Sequence, residues 1–348
     1  MKNYSKLQRP KTYYRSIPKV DLHRHLEGSL RLRTLLEIGR EHGLGLPNTN
    51  ELRELVQIGD DEAFTFENFL SKFQTLRLFY RSPEVIERVT REAIADAAAD
   101  NVRYLELRFT PIALGRAEGF PLNEVIDWVI ASARQASETY GIKTNLIASV
   151  NRHEGPDAAE KVASLAAERV GTGIVGLDLA GNEAEFSGQP FAAIFKEARQ
   201  AGLRITVHAG EWGPAQNVRE AITDLGAERI GHGVRVLEDP SITALARERQ
   251  SVFEVCVTSN YQSGVIPALS VHPLPRMLSL GLNATINTDD PSISRITLSD
   301  EYQLVCENLN MPASDLKNRV LAAAEATFLP AEEKSILIGS LNASFPPD

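Results

Sequence analysis

Cysteine is almost absent from this chain: among 348 residues only Cys256 and Cys306 occur. Two thiols make no disulfide framework and no cysteine-ligated zinc site. Long hydrophobic runs are missing too, since none approaches the ~18 apolar residues a membrane span requires. Positive charge is neither in excess nor clustered, with 37 Lys and Arg against 46 Asp and Glu and a net charge of -9. This disfavours a general nucleic-acid binder, which needs grouped cations to displace counterions. The first residues, MKNYSKLQRPKTYYRS, lack the apolar core of a secretory leader, so the sequence reads as cytoplasmic. There is no internal repeat or low-complexity segment. No glycine-rich phosphate turn follows the first β-rich run, which argues against an open doubly wound sheet.

Present instead is a steady alternation. β-rich runs at 19–22, 103–109, 143–150, 174–179, 204–207, 229–230, 251–257 and 282–286 are separated by amphipathic stretches such as 124–140, 158–168, 191–201 and 217–225. Gly141, Gly171, Gly202, Gly226 and Gly281 close the helical patterns as C-terminal signals. Eight strands alternating with helices predict an α/β fold, a (β/α)8 TIM barrel. Its length suits one domain over 1–348, with a helical insertion after strand 1 at about 31–100 that covers the strand ends.

In such a barrel, function collects at the C-terminal ends of the strands. Four of the seven histidines, His23, His25, His208 and His232, stand at those ends. His23 and His25 are two apart, so a strand points both imidazoles to one face. With His208 and Asp289 they form a donor set suited to zinc, at ~2.0–2.2 Å, although cobalt and iron accept similar ligands. Binuclear barrel hydrolases commonly bridge their metals with a carboxylated lysine on strand four. Residues 173–181 contain no lysine, which favours one metal. His232 lies between Gly231 and Gly233 and is either a base or a core histidine. Glu211 is either a general acid raised by desolvation or a helix N-terminal carboxylate. Asp289 and Asp290 are adjacent, so one faces the metal and one the substrate, unless both cap the helix that Pro291 starts. Phe66, Phe69 and Phe73 share a helix face. His42, His153 and His272 read as surface or loop residues, Cys256 as strand packing, and Ser259 and Asn260 as residues near the pocket without an assigned role.

Taken together, PKVDLHRHLEGSLR, VGLDLAGNE, VHAGEWG, RIGHGVR, CVTSNYQSG and INTDDP resemble, in order, the adenosine deaminases of the amidohydrolase superfamily, over about residues 17–345. The resemblance implies one zinc per subunit on His23, His25, His208 and Asp289. It makes His232 the base that orients a zinc-bound hydroxide, and Glu211 the donor to purine N1. Attack at C6 then releases ammonia and turns adenosine or 2′-deoxyadenosine into inosine or its deoxy form. It further implies that the Gly181 N–H meets N3 and Asp290 meets N7. Phe69 and Phe73 wall the ribose end, and Asp178 is counted with the substrate contacts. The partner is a small purine nucleoside, with oligomeric state unreadable.

One position departs from the family. Glu27 stands where adenosine deaminases carry Asp against the ribose 5′-hydroxyl, as it does in many adenine deaminases. ELRFTP at 106–111 resembles the nucleoside enzymes instead. Adenine, or a 5′-modified adenosine such as 6-aminodeoxyfutalosine, is therefore the alternative substrate. A rival of another class is an inactive purine-binding relative, which predicts broken ligand positions, and none is broken. Cytidine-deaminase-type zinc enzymes are excluded by the missing Pro-Cys-x-x-Cys.

Overall fold

The structure, a computed structural model, describes residues 9–346; residues 1–8, half of the stretch read above for a leader, lie outside the described residues. Eight strands follow one another: β1 Lys19–His25, β2 Val102–Phe109, β3 Lys143–Asn151, β4 Ile174–Ala180, β5 Arg204–Ala209, β6 Arg229–His232, β7 Val252–Val255 and β8 Asn283–Ile286. Each pairs in parallel with the next in chain order, as a (β/α)8 barrel requires. The seam between β8 and β1 is closed differently. Asp289 N donates to His23 O and His25 N donates to Asp289 O, both at 2.8 Å. The Asn287 side chain accepts from Leu22 N at 3.0 Å. These bonds tie the end of β8 to the end of β1 and bring Asp289 beside both histidines.

Several strand ends differ from the sequence reading: β3 and β4 run one residue further, β5 and β6 two, to Ala209 and His232, and the ends of β1 and β7 bear most on the site. β1 continues to His25, so both imidazoles sit on the strand. β7 stops at Val255, and the chain turns at Cys256 into a short helix, Val257–Gln262. The cause is Glu301, a buried carboxylate that accepts from Val257 N at 2.9 Å and Thr258 N at 3.2 Å. Those are N–H groups a helix start leaves without partners.

Between β1 and β2 lie four helices, Leu32–Glu41, Thr49–Val56, Phe66–Leu76 and Pro83–Ala99. The last buries Val85, Ile86, Val89, Ala93, Ile94 and Ala97 on one helical stripe. It packs on β2 and on the helix Leu122–Tyr140, as an ordinary barrel helix does. The additional helices are therefore the first three, a shorter segment than 31–100. Among the described residues, no helix is long and apolar enough to cross a membrane.

The barrel interior is charged where branched aliphatic residues usually fill it. Glu106, Arg108, Asp178, Arg229 and Glu254 are all buried. Arg108 pairs with Glu254 at 2.7 Å and with Asp178 at 3.4 Å. Arg229 pairs with Glu254 at 2.5 Å and also with Glu106. Burial of single charges is costly, and here each has an opposite partner.

Candidate active site

At the C-terminal ends of the strands, β1 carries His23 and His25, β5 carries His208, and the turn after β8 carries Asp289. His23 Nε2 lies 3.3 Å and His25 Nε2 3.4 Å from Asp289 Oδ1. His25 Nε2 and His208 Nε2 are 3.3 Å apart. Ligand nitrogens of all three imidazoles fall within 4.8 Å of one another. Two of the rings are held from behind: His23 Nδ1 meets Glu254 Oε2 at 2.8 Å, and His208 Nδ1 meets Asp178 Oδ1 at 3.0 Å. A ring whose Nδ1–H is held by a carboxylate turns its Nε2 lone pair outward, the arrangement behind metal-ligating histidines. Burial keeps His25 well below its ordinary pKa, hence neutral.

The donor set fits a divalent cation. His23 Nε2 is buried without a hydrogen-bond partner, and lone pairs facing each other repel unless a cation lies among them. Charge agrees. Below the site, Glu106, Glu254 and Asp178 outnumber Arg108 and Arg229 by one, and Asp289 brings the excess to two negative charges. Cys256 also brings its sulfur within 4.8 Å of donor atoms of His23 and Asp289. Burial pushes its thiol pKa well up, and its S–H points to Glu254 O at 3.6 Å, so it stands by as a protonated neighbour.

Close approach of the rings depends on Gly231, where a Cβ would stand 3.1 Å from His23 Cε1 and 3.2 Å from the His208 ring. His232 and Asp289 both adopt left-handed backbone, with φ of 57° and 64°. Such conformations are strained in non-glycine residues and concentrate at functional sites. His232 Nε2 lies 3.6 Å from Glu211 Oε2 and 3.8 Å from Asp289 Oδ2.

Glu211 and Asp290 are buried carboxyls facing the same space. Burial raises the pKa of Glu211 well above the carboxylate range, and Asp289 and Glu183 add to it. Burial does the same to Asp290, helped by Asp289, Glu27 and Glu211. Asp290 occupies the N-cap position ahead of Pro291, yet its side chain makes no capping bond and its Oδ1 has no partner. It packs on Gly28, where any Cβ would overlap Oδ1. Neither dependence could be read from spacing.

Glu183 is a functional residue the sequence reading passed over. Its carboxylate accepts from Gly210 N at 3.0 Å, Glu211 N at 2.6 Å, Trp212 N at 2.8 Å and Asn217 Nδ2 at 2.8 Å. It thereby holds the loop that carries Glu211. The signal was there in GNE after strand four, but only the fold shows which loop it grips. We expect Glu183→Gln to keep its metal and to lower kcat by about 10- to 100-fold, the usual cost of losing a group that orients another. Metal analysis beside steady-state kinetics checks this.

The site floors a cleft of about 260 Å³. Phe66, Phe69 and Phe73, all on the helix Phe66–Leu76, line one wall, and Phe66 packs on Trp212 with ring centroids 4.2 Å apart. Gly181 lines the other side at φ 89°, where a Cβ would stand 3.2 Å from Arg152 N. At the far end, Glu27 Oε1 accepts from Thr110 N at 2.6 Å, while its Oε2 is buried without a partner. Arg77 lines that end too.

Other positions depart from the sequence reading. Asp178 is fully buried and does not line the cleft; it acts from behind His208, because β4 turns it into the barrel interior. His272, read as a surface or loop residue, does lie in a loop but is buried there, 5% exposed. Ser259 and Asn260 are buried on the helix Val257–Gln262 and do not line the cleft. His153 is on the surface as expected, at the cleft mouth, and His42 is exposed.

The chain matches the family model described as adenosine deaminase over residues 18–344. It is 36% identical to an adenosine deaminase of Clostridium perfringens (strain SM101 / Type A) over 324 residues, covering 92% of this chain and 97% of that protein. Among solved structures it is similar to an adenine deaminase from Arthrobacter aurescens, with 27% identity, a TM-score of 0.86, and coverage of 94% of this chain and 98% of that one. It is also similar to an amidohydrolase from Burkholderia ambifaria with bound Zn (26% identity, TM-score 0.87, 98% and 95% covered). A third is Arabidopsis ADAL complexed with IMP (27% identity, TM-score 0.85, 95% and 98% covered).

Proposed function

The chain belongs to the adenosine deaminase family, and from that premise we propose that it is a zinc-dependent deaminase of adenosine and 2′-deoxyadenosine, exchanging the 6-amino group for oxygen and releasing ammonia. One observation carries the reading to this chain's own residues: of the three cleft carboxyls whose pKa burial raises, Glu27, Glu211 and Asp290, the last two are pushed well above the carboxylate range, with negative neighbours adding to burial. A carboxyl that keeps its proton is a donor, and purine N1 and N7 are acceptors.

Glu211 transfers its proton to N1, which draws electrons from C6 and opens that carbon to attack. Asp290 donates to N7, and the Gly181 N–H to N3. Recognition of three ring nitrogens selects purine over pyrimidine. When held by His23, His25, His208 and Asp289, zinc supplies a Lewis acid that brings water towards ionisation near neutral pH. His232 Nε2 and Asp289 Oδ2, 3.8 Å apart, meet the water that attacks C6, so that one takes its proton while the other steadies its oxygen. The proton taken from the water passes to the 6-amino group, the C6–N bond breaks and ammonia leaves. The C6 hydroxyl gives its proton to the Glu211 carboxylate as it becomes the product's carbonyl. Phe69 and Phe73 exclude solvent over the ribose, and the free Oε2 of Glu27 accepts from the 5′-hydroxyl.

A second reading of the 5′ end has its own support. Arg77 lines the cleft near Glu27, its Nε is buried without a partner, and the guanidinium has no ion pair among the described residues. A cation so placed suits an acidic group attached at the 5′ position. Comparison of kcat/KM for adenosine, 2′-deoxyadenosine, adenine and a 5′-carboxylated adenosine decides between them. A preference for adenosine or deoxyadenosine, unchanged in Arg77→Met, supports the first reading. A preference for the acid, reduced about 10- to 100-fold by Arg77→Met as a lost charged hydrogen bond would reduce it, supports the second.

A further inference from the structure

The chemistry above leaves unused a buried line of polar side chains behind His232. Asn260 is fully buried, and its Nδ2 lies 3.1 Å from His232 Nδ1. Its Oδ1 lies 3.4 Å from His272 Nε2. His272 Nδ1 in turn accepts the backbone N–H of Leu274 at 3.1 Å. Neither Asn260 nor His272 lines the cleft.

The direction of every bond in this line follows from its far end. A backbone N–H only donates, so His272 Nδ1 is an acceptor. Burial pulls the His272 pKa down to about 4, so the ring is neutral and its hydrogen sits on Nε2. That hydrogen points at Asn260, which must answer with its carbonyl oxygen and turn its NH2 towards His232. His232 Nδ1 is then an acceptor as well, and the neutral ring carries its hydrogen on Nε2. The reversed amide would set the His272 N–H against an NH2 group, two donors face to face in a buried place.

We infer that Asn260 and His272 are positioning residues that hold His232 as its Nε2–H tautomer, with that hydrogen aimed at the attacking water. The geometry stands on its own; its catalytic consequence rests on the deaminase reading. His232 donates a hydrogen bond to the oxygen that attacks C6, and the proton shed by that oxygen goes to Asp289 Oδ2. The role of base expected of His232 thus passes to the carboxylate across from it. The arrangement also explains how a histidine at φ 57° keeps one ring orientation: its Nδ1 is held by Asn260.

Full-length protein labelled with 15N-histidine tests this, with His232→Gln identifying the ring's signals, in zinc-loaded and metal-free samples. Wild type should show a bare Nδ1 and a protonated Nε2. Asn260→Asp presents only acceptors, so it should move the hydrogen to Nδ1 and lower kcat about 100-fold, with KM for adenosine within about twofold. His272→Gln accepts from Leu274 and donates to Asn260, so it should keep kcat within about threefold, while His272→Phe should lose about tenfold. A hydrogen on Nδ1 in wild type overturns the inference. So does an Asn260→Asp enzyme of normal kcat, or one changed in KM alone. If Asn260→Asp fails to fold, the wild-type spectrum and the Gln and Phe variants of His272 decide. If wild type turns over no purine, the deaminase reading fails while the spectrum still reports the tautomer.

Discussion

His208→Ala will emerge from purification without stoichiometric zinc and with turnover of adenosine down by at least about 1,000-fold, as when one member of a cooperating catalytic unit is removed. The expectation follows from the small number of donors. Three imidazoles and one carboxylate converge here, and the remaining charged groups are committed elsewhere: Asp178 to Arg108 and Ser149, Glu254 to Arg108 and Arg229. The nearest other donor, the Cys256 sulfur, hydrogen-bonds to Glu254 O at 3.6 Å, and a single soft donor would not restore the lost imidazole geometry. The fold should survive, since Asp178 keeps two partners when His208 is gone. Metal content after gel filtration, read beside kcat, checks the expectation. Full zinc retention would remove His208 from the ligand set.

Glu211→Gln should do the opposite to metal and nearly the same to rate. Its carboxyl ligates nothing in the proposed set, so zinc content should stay at the wild-type level. The substitution keeps the shape, and Glu183 still grips the backbone of the loop. What disappears is a transferable proton. An amide can donate a hydrogen bond to N1 but cannot protonate it, and loss of general acid catalysis costs about 100- to 10,000-fold. The raised pKa of the wild-type carboxyl is what keeps that proton in place at a pH where an exposed Glu has lost it. Near-normal turnover in Glu211→Gln would mean that N1 is protonated by another group.

Much of this was legible in the sequence because strand alternation and strand-end chemistry are local properties. Histidines two apart on a strand share a face wherever the strand lies, and β1 obeys that rule with His23 and His25. Phe66, Phe69 and Phe73 share a helix face by their spacing alone, and all three line the cleft. What stayed hidden depends on contacts between distant elements. Asp178 carries no local mark separating a substrate contact from a support for His208. His272 reads as surface or loop, and only the fold shows that loop position buried against Asn260. The turn of the chain at Cys256 needs Glu301, over forty positions on, to satisfy its first N–H groups. Glu106 and Arg108, read within a nucleoside-enzyme motif, are part of the charged barrel interior, and that interior follows from ion pairing across strands rather than from any single run of residues.

The most direct test is the conversion of adenosine by zinc-reconstituted protein, followed by its ultraviolet change with ammonia measured in the same sample. The account predicts inosine and ammonia in equal amounts, loss of the activity on chelation, and its return with zinc. Unchanged adenosine, adenine and 5′-modified adenosines in the presence of fully loaded enzyme would contradict it, and would leave a purine-binding protein in an enzyme's fold.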